Sequence, residues 1–160
     1  AYDQGLISKT EPVVFISGDV ICHVNLKKMI VFHQQKKSIL TILVHKSDHP
    51  RDSDLIQINK DCRMTSMIKK GMLKQDQTFQ NLTNAGLTIL EHKVFDYLTD
   101  EKFTYEHYVY PKLVAAGEPV YGYDTDEYIK DMGTPQRLEK VSKYLQKLQD
   151  KESNKQNKAV

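Results

Sequence analysis

The chain has 160 residues, 39% of them hydrophobic, which is enough for one domain with a buried core. Its 23 Lys and Arg residues nearly balance its 21 Asp and Glu residues, and this balance excludes the strong positive field of a nucleic-acid-binding protein. Because it has no apolar leader, no apolar run of about 18 residues and only two cysteines, we expect a cytoplasmic protein that binds neither nucleic acid nor membrane.

The first part of the chain has the pattern of an α/β protein. Residues 12–17 form a short apolar run that ends before Asp19, which is typical of a strand buried on both faces. Asn25 is a plausible cap for a helix whose apolar side chains recur at helical spacing as far as His33. Residues 38–45, rich in β-branched side chains, follow at once. We therefore expect a strand–helix–strand unit with a parallel pair of strands.

The middle of the chain predicts a β-hairpin and another buried strand. Residues 55–58 and 64–68 alternate around residues 59–62, whose Asn and Asp favour a turn. The apolar run at residues 82–90 is interrupted by Asn-Ala-Gly. Because Gly86 falls in the middle of this strand, it indicates close approach by a ligand or by another backbone.

The last part of the chain alternates helices with a strand. Helical patterns cover residues 93–98 and 106–116, and a strand pattern covers residues 119–123. A final helix begins near Thr134, which caps it, with Pro135 in the first helical position.

Two aspartates are candidates for binding a divalent cation. Asp19 follows a predicted buried strand, at the edge where α/β sheets bind ligands, and a carboxylate there can hold Mg²⁺ against substrate phosphates. Asp131 lies just before the final helix. Each also has a plain structural interpretation, Asp19 as part of a turn and Asp131 as a polar residue of a loop before a helix.

Other polar residues suit a sugar phosphate. Asn84 beside Gly86 combines an amide that donates and accepts hydrogen bonds with a position that has no side chain. A plain strand with a bulge explains the same residues. Lys69 and Lys70 end the second strand of the predicted hairpin, where an ammonium group can meet a phosphate or simply face solvent.

Four segments in a fixed order resemble the later two-thirds of bacterial sugar-1-phosphate nucleotidyltransferases: residues 14–19, the hairpin, residues 84–86 and residues 128–135. The resemblance spans roughly residues 12–145. It is closest to enzymes acting on mannose- or heptose-type 1-phosphates, such as the D-glycero-D-manno-heptose 1-phosphate guanylyltransferases. Residues 49–55 and 128–135 resemble the members fused to a haloacid-dehalogenase-type phosphatase.

The resemblance implies a three-layer, Rossmann-like nucleotide-diphospho-sugar transferase fold, with a mixed, mostly parallel sheet and a hairpin insertion. Residues 1–148 would be the C-terminal part of the catalytic domain, and residues 149–160 a polar tail or a linker to a following domain. The Gly-rich nucleotide loop of the family does not occur in this sequence, so we expect a segment of a longer polypeptide. Residues 1–5 resemble the helix before the first strand, and residues 157–160 the first strand of a phosphatase domain.

The resemblance also assigns roles to individual residues. It implies that Asp19 and Asp131 hold Mg²⁺ against the nucleotide and sugar phosphates. Lys70 matches the phosphate-binding lysine of the family's Glu-Lys-Pro motif, whereas Lys69 stands where the family has its sugar-binding glutamate. Further contacts with the substrates fall to four residues: Gly18, Asn84, Gly86 and Lys130.

The function implied is nucleotidyl transfer from a nucleoside triphosphate, GTP first of all, to a sugar 1-phosphate for surface polysaccharide synthesis. Two other interpretations stay open. The chain could be a non-catalytic sugar-phosphate-binding or assembly module, or a regulatory domain linked to a phosphatase. An open sheet edge would favour pairing with another chain, so we also expect a homodimer.

Overall fold

The computed structural model of the chain describes residue 7 and residues 10–156. These residues form two compact units. The first contains the residues up to Ser17 together with Asn25–Asp126, and the second contains Gly18–Val24 together with the residues from Glu127 onward. The main elements in chain order are β1 (Val13–Ile16), β2 (Val20–His23), α1 (Leu26–Gln35), β3 (Leu40–His45), β4 (Leu55–Ile58), β5 (Met64–Ile68), β6 (Thr83–Leu90), α2 (Tyr105–Ala115), β7 (Val120–Asp124), β8 (Tyr128–Asp131) and α3 (Pro135–Gln156).

The first unit is built on a four-stranded sheet with the order β1-β6-β3-β7. β6 runs antiparallel to both of its neighbours, and β3 runs parallel to β7. Three of the four strands therefore share one direction, which confirms the mixed, mostly parallel sheet. β4 and β5 form the predicted antiparallel hairpin, with the same bounds that the sequence pattern indicates.

The core of the first unit lies on β3, whose apolar side chains are covered on both faces of the sheet. Leu40, Ile42, Leu43 and Val44 are each 0% exposed. Helix α2 adds three buried side chains to this core: Val109, Tyr110 and Leu113.

Helix α1 begins where the sequence predicts. The side chain of Asn25 accepts a hydrogen bond of 3.1 Å from the main-chain N–H of Lys28, which satisfies one of the open donors of the first turn. At the other end, buried His33 bonds through its two ring nitrogens to Thr41 at 2.8 Å and to Glu91 at 3.1 Å. These bonds fasten the helix to β3 and to the end of β6.

The prediction of a central first strand is wrong. β1 is an edge strand, and Val14, Phe15 and Ile16 are 42%, 51% and 49% exposed. The expected parallel pairing of β1 with β3 is also wrong, because β6 lies between them and bonds to both. An apolar run identifies a strand, but its neighbours are set by residues distant in the chain.

The helix predicted at residues 93–98 is instead a 3-10 helix over His92–Tyr97. A second 3-10 helix covers Pro50–Asp52. No helix within residues 10–156 is long and apolar enough to cross a bilayer.

The second unit pairs two short strands, β2 and β8, and continues into α3. The strands are antiparallel, and the sequence patterns did not predict either of them. Tyr128 of β8 stacks on Tyr144 of α3, with ring centroids 3.5 Å apart and planes 7° apart. The Tyr144 hydroxyl also lies 2.6 Å from Nδ1 of His23 on β2.

The final helix starts as predicted, with the Thr134 hydroxyl accepting a bond of 3.3 Å from the main-chain N–H of Arg137. α3 then continues to Gln156, so part of the expected polar tail is helical. The domain boundary at residue 148 stays a prediction. The interpretations of residues 1–5 and 157–160 concern residues outside the described part of the chain.

Candidate functional site

The second unit brings the main chains of the two candidate aspartates together. Val20 pairs with Asp131 across the β2–β8 ladder, and the carbonyl oxygen of Asp19 accepts a bond of 2.7 Å from the main-chain N–H of Met132. Asp19 and Asp131 therefore lie at the same end of this ladder, although most of the sequence separates them.

The Asp131 carboxylate is already engaged by its own unit. Its Oδ1 accepts a hydrogen bond of 2.6 Å from the Arg137 guanidinium and one of 3.3 Å from the main-chain N–H of Gly133. The side chains of Asp131 and Arg137 are 38% and 41% exposed, so this ion pair faces solvent in part. Asp19 is exposed.

The carboxylate oxygens of Asp19 and Asp131 are of the type that Mg²⁺ binds. Mg²⁺ takes oxygen ligands, retains several waters, and is usually held by one or two carboxylates together with substrate phosphates. No group of three His, Cys, Asp or Glu side chains suited to a metal ion occurs among the described residues. A cation on Asp19 and Asp131 would thus take its other ligands from phosphate and water.

Two predicted substrate contacts flank the aspartates. Gly18 precedes Asp19, and a methyl group added at Gly18 would meet no heavy atom within 4 Å. Lys130 pairs with Ile21 in the β2–β8 ladder, next to Asp131. Both residues are therefore part of the same strand end as the aspartates.

In the first unit, Asn84 is at the centre of a polar cluster on β6 and α2. Its Nδ2 donates to Oε1 of Glu106 at 2.6 Å and to the Tyr110 hydroxyl at 3.4 Å. Its Oδ1 accepts from the main-chain N–H of Gly86 at 3.0 Å. The amide is thus held by both of its polar atoms.

Gly86 has a structural task of its own. Its φ of 76° lies in the left-handed region, and the β3–β6 register shifts between Ile42 and Val44, opposite this part of β6. Its carbonyl oxygen accepts a bond of 2.8 Å from the main-chain N–H of Ser17. The interpretation as a bulge is confirmed, and the close approach of a ligand or another backbone stays a prediction.

Lys70 is engaged by a carboxylate rather than free for phosphate. Its Nζ lies 2.7 Å from Asp52, and this ion pair lowers the pKa of the Asp52 carboxyl. The main-chain N–H of Lys70 donates to Oδ1 of Asp54 at 2.7 Å, and Oδ2 of Asp54 lies 2.6 Å from Nε2 of His107. Asp54 therefore links the end of the hairpin to α2. Lys69, the neighbouring strand-end lysine, is exposed.

Sequence patterns missed Glu106 and Arg137, which contact Asn84 and Asp131, and His107, which contacts Asp54 beside Lys70. From the sequence, Glu106 is interpreted only as an acidic residue in the first turn of a helix, where its charge is favourable near the positive end of the helix dipole. Burial raises the pKa of its carboxyl, and the hydrogen bond from Asn84 opposes that shift. No local pattern in the sequence connects Glu106 with an amide on a separate strand.

The fold of the chain is shared with a solved structure, that of HddC from Yersinia pseudotuberculosis. The two align with a TM-score of 0.66 and 24% identity, over 84% of this chain and 55% of HddC. HddC complexed with GMP-PN aligns with a TM-score of 0.65 over the same shares. The predicted Rossmann-like transferase fold, with its mixed sheet and hairpin, is therefore confirmed.

The model of the nucleotidyl transferase family matches residues 3–148. The chain belongs to this family of transferases, as its segments and their order predict.

Three curated relatives are 25–30% identical to the chain over the residues that align. A mannose-1-phosphate guanyltransferase from Pichia angusta is 29% identical over 144 residues, 89% of this chain and 39% of the relative. The Debaryomyces hansenii protein of the same name is 30% identical over 90% of this chain and 39% of the relative. A mannose-1-phosphate guanylyltransferase from Mycobacterium tuberculosis is 25% identical over 80% of this chain and 35% of the relative. The chain thus spans about two-fifths of these proteins.

Proposed function

We propose that the polypeptide containing this chain transfers a nucleotidyl group from a nucleoside triphosphate to a sugar 1-phosphate, releasing pyrophosphate. Membership of the nucleotidyl transferase family over residues 3–148 supports this function. The observation that carries it is that the main chains of Asp19 and Asp131 lie side by side at one end of the β2–β8 ladder. Carboxylates at such a position suit a cation that neutralises phosphates.

GTP and a mannose- or heptose-type 1-phosphate are the substrates we propose. The support is that three relatives are named as mannose-1-phosphate guanylyl- or guanyltransferases, and that HddC has been solved with GMP-PN. The product would be a GDP-sugar for surface polysaccharide synthesis in the cytoplasm.

In the reaction, a phosphate oxygen of the sugar 1-phosphate attacks the α-phosphorus of GTP in line. The new P–O bond forms as the bond from the α-phosphorus to the bridging oxygen breaks, and pyrophosphate leaves. The protein contributes mainly positioning and charge neutralisation. Bound Mg²⁺ supplies positive charge at the phosphates.

Each predicted site residue has a task in this scheme. Asp19 and Asp131 would hold the cation, and Arg137 would either release Oδ1 of Asp131 or leave its Oδ2 available. Lys70 exchanges Asp52 for the sugar phosphate. Three residues contact the substrates through the backbone or the side chain at the two candidate clusters: Gly18, Gly86 and Lys130. Oδ1 of Asn84 accepts a hydrogen bond from a sugar hydroxyl.

The decisive experiment replaces Asp19 by Asn in the full-length polypeptide and measures pyrophosphate release from GTP and mannose 1-phosphate. Loss of Mg²⁺-dependent turnover is expected, because the amide is a much weaker ligand for a hard cation. Asp76→Asn, an exposed loop substitution of the same kind, serves as the matched control. Unchanged turnover in Asp19→Asn would refute the assignment.

A second candidate applies to the 160 residues by themselves. This alternative is a module that binds sugar phosphate without transferring a nucleotide. Calorimetric titration with mannose 1-phosphate, beside the pyrophosphate assay on this chain and on the longer polypeptide, separates binding from catalysis.

We also propose that the chain forms a homodimer through the edge strand β1. The exposed apolar side chains of Val14, Phe15 and Ile16, on a strand edge that no other described strand covers, support this. Such an edge offers main-chain donors and acceptors to a second strand.

A further inference from the structure

We propose that Glu106 is a positioning residue for sugar recognition: it fixes the orientation of the Asn84 amide so that Oδ1 is presented to a sugar hydroxyl. This inference rests on the proposed function, and on a contact that sequence reasoning did not reveal. Glu106 acts through Asn84 and is not itself assigned a contact with substrate.

The hydrogen bonds around Asn84 permit only one amide orientation. Nδ2 faces the Glu106 carboxylate at 2.6 Å, and Oδ1 faces the main-chain N–H of Gly86 at 3.0 Å. Rotating the amide by half a turn would set an oxygen against the carboxylate and an amino group against an N–H donor. Both contacts would become repulsive. The Glu106 carboxylate and the Gly86 N–H therefore determine the orientation of the amide.

In this orientation, the Asn84 amide can accept one more hydrogen bond, from a ligand. The two N–H groups of Nδ2 are directed to Glu106 and, more weakly at 3.4 Å, to the Tyr110 hydroxyl. Oδ1 accepts one bond from Gly86, and a carbonyl oxygen has two lone pairs. The amide is therefore prepared to accept one further hydrogen bond, and a sugar hydroxyl can donate it.

Glu106 is itself held in place by its neighbours. It lies in the first turn of α2, and the next residue, His107, bonds to Asp54 at 2.6 Å. Asp54 also accepts a hydrogen bond from the main-chain N–H of Lys70. The end of the hairpin thus fixes the rotation of α2 about its axis, and with it the direction of the Glu106 side chain.

Three variants of the full-length polypeptide test the inference. Glu106→Met retains the length of the side chain but lacks an oxygen acceptor, whereas Glu106→Gln retains an oxygen that can accept the same bond. Glu139→Gln, at an exposed glutamate of α3 paired with Lys143, is the matched control. KM and kcat are measured for mannose 1-phosphate and for GTP separately.

We expect Glu106→Met to raise the KM for mannose 1-phosphate about tenfold, since a lost buried hydrogen-bond partner has an effect of that order. The KM for GTP should stay within about twofold of wild type. Glu106→Gln should restore the KM for mannose 1-phosphate to within about threefold of wild type. A normal KM in Glu106→Met, or equal damage in both variants, would overturn the inference.

A measurement without turnover tests the geometry directly. In ¹⁵N-labelled protein, the side-chain amide resonances of Asn84 should shift strongly in Glu106→Met and little in Glu106→Gln, and mannose 1-phosphate should perturb them in wild type. If Glu106→Met does not fold, the comparison of wild type with Glu106→Gln in this spectrum decides. If the Asn84 amide resonances do not shift in either variant, and the wild-type enzyme turns over, the positioning role is wrong but the proposed function is retained. Absence of wild-type turnover and of any response to mannose 1-phosphate would overturn the proposed function as well.

Discussion

Arg137 holds the carboxylate of Asp131 at 2.6 Å, with the first turn of α3 supplying the guanidinium. A positive side chain therefore occupies one of the two carboxylate oxygens that a divalent cation could use. Replacing Arg137 by Gln should make Mn²⁺, used as a spectroscopic substitute for Mg²⁺, bind several-fold more tightly, because the competing charge is removed. The measurement is a Mn²⁺ titration followed by electron paramagnetic resonance.

The control for this variant is Lys143→Gln, which removes one exposed positive charge from the same helix. It should leave the affinity for Mn²⁺ almost unchanged. Weaker or equal binding of Mn²⁺ in Arg137→Gln would mean that Arg137 does not compete for Asp131.

The two candidate glycines should respond differently to substitution by alanine. Gly86 has a φ of 76°, so Gly86→Ala should lower the free energy of unfolding by about 1–2 kcal/mol. Gly18→Ala should be close to neutral, since its methyl group meets no heavy atom within 4 Å. Urea denaturation measures both. Equal stability of the two variants would show that the bulge tolerates a side chain.

Glu106 should make stability depend on pH. Burial raises its pKa above the ordinary 4.5, so in the interval above 4.5 the folded protein keeps a proton that the unfolded chain has released. The stability contributed by the protonated carboxyl is then lost as the pH rises through the raised pKa. Glu106→Gln has no such loss. The Tm of this variant, relative to that of wild type, should therefore rise between mildly acidic and neutral pH.

Thermal unfolding of the two proteins across this interval checks the prediction. Glu139→Gln should follow wild type, because its glutamate is exposed. A constant difference in Tm between Glu106→Gln and wild type would show that the Glu106 carboxyl titrates alike in the folded and unfolded states.

The open edge of β1 should drive association of the chain. Ile16→Lys places a charge on an edge side chain that is 49% exposed, and charged residues discourage strand pairing. We expect the variant to shift from dimer to monomer in size-exclusion chromatography with light scattering. Val31→Lys, at a 48% exposed residue of α1, is the control and should leave the dimer intact. A monomeric wild-type chain would contradict the expectation.

Local features of the fold could be predicted from the sequence. The hairpin strands β4 and β5 have their predicted bounds, because alternation and a turn between neighbouring segments specify them together. The caps at Asn25 and Thr134 also follow from short-range hydrogen bonding.

Features that depend on distant partners could not be predicted in this way. β1 has the composition of a central strand but lies at an edge, and the four-residue strands β2 and β8 acquire their identity only from each other. The same limit applies to the candidate site. An ordered resemblance makes Asp19, Asp131 and Asn84 candidates, whereas the side chains that contact Asp131 and Asn84, those of Arg137 and Glu106, belong to helices α3 and α2.

The paired strands β2 and β8 are separated in the sequence by the entire stretch Asn25–Asp126. Joining the ends of an unfolded stretch of this length costs entropy that grows with the logarithm of the number of residues. If the first unit folds early, the stretch Asn25–Asp126 is already compact when β2 and β8 pair. The main chains of Asp19 and Asp131 would then be among the last to pair during folding. A defect in the interior of the first unit would delay assembly of the proposed cation site, although it changes none of that site's residues.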